Sequence, residues 1–356
     1  MNVCFLVGNG LSVAVRPGFT LPSLRDAFLA QLPDADRAFL AQLGTDPAED
    51  LEEILANVEV LRDSLHAVRS LSGVLASPDL QAIAQAVTQT QLDARLDRLY
   101  YAYCSVVLER LGEAWNPGEV QHRLEHWLDH VAAWIDAADQ AEFFTLNFDL
   151  LLEHCLLNDE MLNLRYEMTD FFQPYDGAPD AWWPPNVPAY EFAPGAATER
   201  PVRLYHLHGS LAYLMRRATS EVFKMRAEDL RGAHVYDHHL PAQALPASWT
   251  PAVIIGGRKE RKATSLPYSF AFDQFRRSVT DPDTNVGIVV GYSFNDPHIN
   301  TVLASGHDDL RWIVIDHQAP ADQATFPEQV LTVLQSDNVS FHFEGANDPD
   351  LPRPGV

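Results

Sequence analysis

A chain of 356 residues is long enough for one large α/β domain carrying insertions, or for two modest domains sharing an interface. Its 25 basic and 49 acidic residues leave a net charge of -24, which repels phosphate backbones and anionic headgroups and argues against nucleic acid or a membrane surface as a direct partner. With 47% apolar and 21% charged residues, the composition is that of a folded globular protein with little room for extended disorder.

The first predicted element is a buried strand, Val3 to Val7, too short and too lacking in basic flanks for a signal peptide or a membrane span. It runs directly into Gly8-Asn9-Gly10-Leu11-Ser12. Glycines at such a turn let a backbone approach a pyrophosphate, and the helix that follows would aim its N–H groups and positive dipole end at the phosphates. A strand-to-helix turn with no ligand uses the same pattern about as often. From Ser23 to Asp139 apolar residues recur at helical spacing. Leu51, Ile54, Leu55, Val58 and Leu61 form one stripe, and Leu96, Leu99, Tyr103, Val106, Val107 and Leu111 another, both read as core.

A second strand, Glu142 to Leu146, ends in Asn147 and Asp149, which alternation turns to the same side. Asp149 is equally readable as the cap of the helix that begins at Leu150. The segment Phe171 to Pro201, rich in proline and aromatics, disfavours helix. It is a candidate lid or contact surface, or a surface loop pinned by its aromatics.

Further runs follow at Arg203 to Leu207, Ala252 to Ile255, Val286 to Val290, Trp312 to Ile315 and Val339 to Phe343. Several deliver a polar residue to what would be the carboxyl edge of a sheet. The first brings His208, whose side chain titrates nearest neutrality and suits a proton acceptor. Val286 to Val290 brings Gly291 and Ser293, then Asp296-Pro297 as a helix start. Trp312 to Ile315 brings Asp316, where a carboxylate can hold ribose hydroxyls. The basic cluster Arg258, Lys259, Arg261 and Lys262 reads as a solvated loop or a contact for a phosphate or acidic partner. The tail from Asn347 to Val356, with three prolines, is expected to fray.

Cys4, Cys104 and Cys155 are far apart and form no CxxC pair, so no disulfide framework or cysteine zinc site is signalled and a reducing cytoplasm fits. His206 and His208 share strand parity, but no third metal ligand is evident and no metal is expected.

Four motifs in this order, Gly8-Asn9-Gly10-x-Ser12, Thr145-x-Asn147-x-Asp149, Leu207-His208-Gly209-Ser210 and Gly291-Tyr292-Ser293-Phe294-Asn295-Asp296-Pro297-His298-Ile299-Asn300, resemble the signature set of the sirtuin-like superfamily. They are closest in kind to its bacterial branch, whose members occur in antiphage defence systems. The likeness covers roughly residues 1 to 24 and 140 to 320. It implies a doubly wound, Rossmann-like parallel sheet of about six strands, built from residues 1–24 and 140–345; the residues themselves, and not the likeness, predict a mainly helical insertion at 25–139, a Pro/Trp-rich loop at 171–201 and a tail at 346–356.

The same resemblance implies NAD as the substrate. Gly8, Asn9, Gly10 and Ser12 would hold its pyrophosphate, with Leu21-Pro22 standing near the family's Gly-Ile-Pro element. Asn147 would orient the nicotinamide ribose and a water, Asp149 would sit near the carboxamide, and His208 would act as general base. Gly291, Ser293 and Asp316 would serve the adenosine side. The chain departs from the pattern at Asn9, where alanine is usual, and in having Gly18-Phe19-Thr20-Leu21-Pro22 for Gly-Ile-Pro-Asp-Phe-Arg. It also lacks the four-cysteine module that follows His-Gly in protein deacylases. The expected activity is therefore NAD glycohydrolysis in the cytoplasm, restrained by a regulatory or sensor partner or by homo-oligomerisation. A non-catalytic sensor of NAD or ADP-ribose and an ADP-ribosyltransferase are the alternatives.

Overall fold

The computed structural model describes residues 1–42, 51–71, 78, 81–82, 85, 92–114, 116–195, 199–226, 229–230, 235–236, 245–246, 248–254, 259–318 and 322–355. Its frame is a seven-stranded parallel sheet of β1 (Asn2–Val7), β2 (Gln140–Thr145), β3 (Met168–Thr169), β6 (Val202–His206), β10 (Thr284–Val290), β11 (Arg311–Ile315) and β12 (Val339–His342), in the order β12-β11-β10-β1-β2-β6-β3. The strands are apolar and mostly buried, as strands covered by helices on both faces must be. Cross-strand ring stacking of Phe5 on Phe143 at 4.4 Å and of Phe144 on Tyr205 at 4.7 Å ties the centre together, and Phe275 of the helix Tyr268–Thr280 packs on Phe144.

Register is what positions the site. Val7 pairs with Val290 and Thr145, Thr145 with His206, Val290 with Ile315, and Ile315 with His342. These residues form one row across the sheet, so the loops beyond them leave from a common edge. The chain builds outward from β1 through β2 to β6, then returns to β10 on the other side of β1. The reversal between β1 and β10 is where open α/β sheets form a binding crevice.

Between β1 and β2 the described elements are helical, the longest being Leu51–Leu71 and Leu92–Ala114. Ile54, Leu55 and Val58 of the first stripe, and Leu96, Leu99, Tyr103, Val106, Val107 and Leu111 of the second, are buried as their spacing predicts, and Leu61 is half-buried.

A second, antiparallel sheet differs from expectation. It has the order β4-β5-β8-β7-β9, from β4 (Phe172–Tyr175), β5 (Ala189–Phe192), β7 (Gly209–Arg216), β8 (Val222–Lys224) and β9 (Trp249–Val253). The run expected at Ala252 to Ile255 belongs here and not in the parallel sheet, because β9 pairs with β7; Ile255 itself lies outside the described residues. The Pro/Trp-rich segment supplies β4 and β5, and Trp182 and Trp183 pack on Trp249. It is a sheet component pinned by its aromatics. The tail also departs from expectation: Leu351 is buried and Trp134 Nε1 donates to the carbonyl of Pro352 at 3.0 Å.

The two sheets are joined by a buried ion cluster. Lys224 of β8 donates to Glu153 Oε1 at 2.6 Å and to Asp170 Oδ2. Burial pulls the Lys224 ammonium down, but Asp170 and Glu153 outweigh it and hold it above its ordinary value. Removing one member of such a cluster strands the others in a poorly solvated place. Lys224→Met is therefore expected to lower the free energy of urea unfolding by about 3 kcal/mol; a loss under about 0.5 kcal/mol would mean that the cluster does not brace the sheets.

Candidate functional site

The glycines of the first turn are needed first for one another. A Cβ on Gly8 would lie 2.5 Å from the carbonyl oxygen of Gly291, and one on Gly10 would lie 2.5 Å from the Gly291 Cα. Gly291 itself has φ +59°, in the left-handed region. Gly8 N donates to Val290 O at 2.8 Å and Gly10 N to Gly291 O at 2.9 Å, while Leu11 N reaches Gly8 O at 3.2 Å. The N–H groups of Gly10 and Leu11 are thus engaged inside the turn. This differs from the expectation that the start of the helix Gly10–Val15 points its donors at a phosphate.

The second loop is locked to the first by buried polar groups. Asn147 Nδ2 donates to Gly8 O and to Ser12 Oγ, each at 3.1 Å. Ser12 Oγ donates to Asp149 Oδ2 at 2.8 Å, and Asp149 Oδ1 accepts from Leu151 N at 3.0 Å. Asn147 and Asp149 both line the cavity; the N-cap residue of the helix Leu151–Leu157 is Leu150, which makes no side-chain cap bond, and Asp149 stands one residue before it, accepting from the first helical N–H. Burial pushes its carboxyl up, while the Leu151 N–H and the Ser12 hydroxyl pull it down. Ser12 is fully buried behind this wall. The amide nitrogen of Asn147 is thus spent on the first turn.

His208 follows β6, where Gly209 at φ +75° turns the chain into β7. A Cβ on Gly209 would stand 1.9 Å from Ala252 O. The turn separates the two histidines. His206 faces the ion cluster, 3.9 Å from Glu153, whereas His208 lines the cavity with Nε2 3.1 Å from Nε2 of His298. Burial, followed by the Lys259 charge, pulls the His208 imidazole down to about 3 against the pull of Asp296, so it is neutral near pH 7. Lys259 Nζ donates to Asp296 Oδ1 at 2.8 Å. Burial would raise the Asp296 carboxyl, but Lys259 and then the two imidazoles bring it below its ordinary value.

All of these surfaces enclose one cavity of about 430 Å³, a size usual for small-molecule sites. It gathers Gly8, Asn9, Gly10, Asn147, Asp149, His208, Gly291, Ser293 and Asp316. Asp316 accepts from His317 N at 2.8 Å and Gln318 Nε2 at 3.1 Å, and burial holds its carboxyl above the ordinary value. Asn9 Nδ2 donates to Phe19 O at 3.0 Å, fixing the segment that carries Phe19 and Leu21 into the opposite wall.

That apolar wall, with Leu24, Tyr103 and Val107, includes two residues that the sequence reading treated as core alone. Lys259, Asp296 and Gln318 were also missed as lining residues. The only signal for Lys259 was its place in the basic cluster, of which Arg258 lies outside the described residues. Lys262, also in that cluster, pairs with the buried Glu59 of the helical block.

The model of a family described as a domain of unknown function, DUF4917, matches residues 5–316, a span that includes every cavity-lining residue except Gln318. No curated protein matches the sequence significantly.

Burial lowers His130 and His206 to about 4 and His208 to about 3, against 6.5 in the unfolded chain. The unfolded chain therefore takes up protons below about pH 6.5 that the folded chain refuses. The stability these groups contribute is fully present above that pH and is lost as the pH falls toward 4, by at most about 1.4 kcal/mol per group per pH unit. The urea midpoint is expected to be lower at pH 5 than at pH 7, with no His208 titration by NMR in that interval. A His208 signal titrating near 6.5 would contradict the buried, neutral imidazole.

Proposed function

We propose that this chain, which belongs to the DUF4917 family, is an NAD glycohydrolase that converts NAD and water to nicotinamide and ADP-ribose. The observation that carries the reading is the convergence of the two glycine turns, Asn147, His208 and Asp316 on one cavity at the switch point of a parallel sheet. The four motifs that resemble the sirtuin-like set supply the glycine turns, Asn147 and His208, and Asp316 follows β11 outside them.

In the reaction the bond between the nicotinamide nitrogen and ribose C1′ breaks, and its electron pair leaves with nicotinamide. The oxygen of water adds to C1′ and a proton is released. An oxocarbenium-like transition state of this kind needs a dry pocket and oriented dipoles more than a strong nucleophile. Asn147, held by Gly8 and Ser12, is the oriented amide, presenting Oδ1 to the sugar or the attacking water. His208, neutral and buried, would orient a ribose hydroxyl; with its imidazole held down to about 3, the released proton passes on to solvent water. Asp316 suits the adenosine ribose. Turnover would deplete a cell of NAD, so a role in bacterial antiphage defence, restrained by a partner or by assembly, belongs to the same proposal and rests on the sequence resemblance.

A second reading, a sensor that holds NAD or ADP-ribose without turnover, draws on one observation: His208 Nε2 faces His298, so that nitrogen is already engaged. Nicotinamide release separates the two. Wild-type protein incubated with NAD is expected to release nicotinamide, and Asn147→Ala and His208→Ala to do so at least about 100-fold more slowly. Binding of NAD with no release from any of the three would favour the sensor. Equal release from all three would remove both residues from the chemistry.

A further inference from the structure

Among the described residues that line the cavity, Lys259 is the one lysine or arginine. It belongs to a chain with a net charge of -24, and it stands in a wall that also carries Asp149, Asp296 and Asp316. A dianionic ligand entering such a cavity needs a counter-charge. The glycine turn offers less of one than its sequence suggests, because the N–H groups of Gly8, Gly10 and Leu11 donate to Val290, Gly291 and Gly8. Gly291 N is likewise engaged, by Ile315 O at 2.9 Å.

We propose that Lys259 is the pyrophosphate-binding residue of this cavity, and that Asp296 holds its ammonium in place until the anion arrives. The inference rests on the dinucleotide reading above. Asp296 is the N-cap residue of the helix Pro297–Leu303 but makes no side-chain cap bond, so its carboxylate serves Lys259. Lys259 and Asp296 retain 15% and 23% side-chain exposure, which puts the pair at the cavity surface, within reach of a ligand. A lysine meets phosphate as a mobile point charge, and the ammonium can swing from carboxylate to phosphate on its flexible stem. His208 lines the same cavity as the pair.

The two members of the ion pair act in opposite directions on anion binding, and this makes the test decisive. ADP-ribose is titrated calorimetrically into wild type, Lys259→Gln, Lys259→Arg and Asp296→Asn, with each protein's melting temperature recorded. Loss of a charged hydrogen bond weakens binding about tenfold or more, so Lys259→Gln is expected to fall by that factor. Lys259→Arg should stay within about threefold, keeping the charge. Asp296→Asn should bind more tightly, because it removes the internal competitor. If Lys259→Gln binds as wild type does, or if Asp296→Asn weakens binding as much as Lys259→Gln, the pair is a structural brace and the inference fails while the dinucleotide reading stands. If wild type binds neither ADP-ribose nor NAD, the dinucleotide reading fails and takes the inference with it.

Discussion

At the carboxyl edge of the parallel sheet the backbones after β1 and β10 press against each other with no side chain between them. Gly8 and Gly10 on one strand end and Gly291 on the other leave no room for a single Cβ. The contact lies at the reversal of strand order, and everything else in the cavity is measured from it. Asn147 is oriented by the carbonyl of Gly8 and by Ser12, and Ser12 in turn holds Asp149. Moving the first turn by an ångström would unmake three hydrogen bonds in a place where water cannot replace them.

The rest of the molecule keeps that edge closed. Gly209 turns the chain from the parallel sheet into the antiparallel one, and β9 returns to receive it, with Ile254 N donating to His208 O at 2.8 Å. The ion cluster of Lys224, Glu153 and Asp170 fastens the second sheet from behind. The helical block contributes Leu24, Tyr103 and Val107 as apolar members of the cavity lining. Its Glu59 pairs with Lys262, so the short helix Lys259–Lys262 spans helical block and cavity. An apolar wall opposite oriented dipoles is the environment in which charge development on a sugar is most strongly influenced by a few fixed groups.

Much of this was legible in the sequence because buried parallel strands announce themselves twice, by an apolar run and by the glycine or polar residue at its end. Val7 before Gly8, Leu146 before Asn147, Val290 before Gly291 and Ile315 before Asp316 all follow that rule. The antiparallel sheet was not legible. β4, β5 and β8 have 4, 4 and 3 residues, and an apolar run such as Ala252 to Ile255 carries no mark of the direction in which it will pair. The helical stripe through Tyr103 and Val107 specifies a buried face but not which members border a void. The cluster holding Lys259 read as a solvated loop or as a contact for a phosphate or acidic partner, and the sequence could not decide between them because the partner of Lys259, Asp296, is 37 residues away.

The most direct test of this account is the electron density of a crystal grown with ADP-ribose. One continuous ligand is expected along the carboxyl edge, its adenosine ribose at Asp316, its pyrophosphate at Lys259, and its distal ribose between Asn147 and His208. Density for the ligand anywhere outside that cavity, at a concentration that saturates binding in solution, would contradict the account.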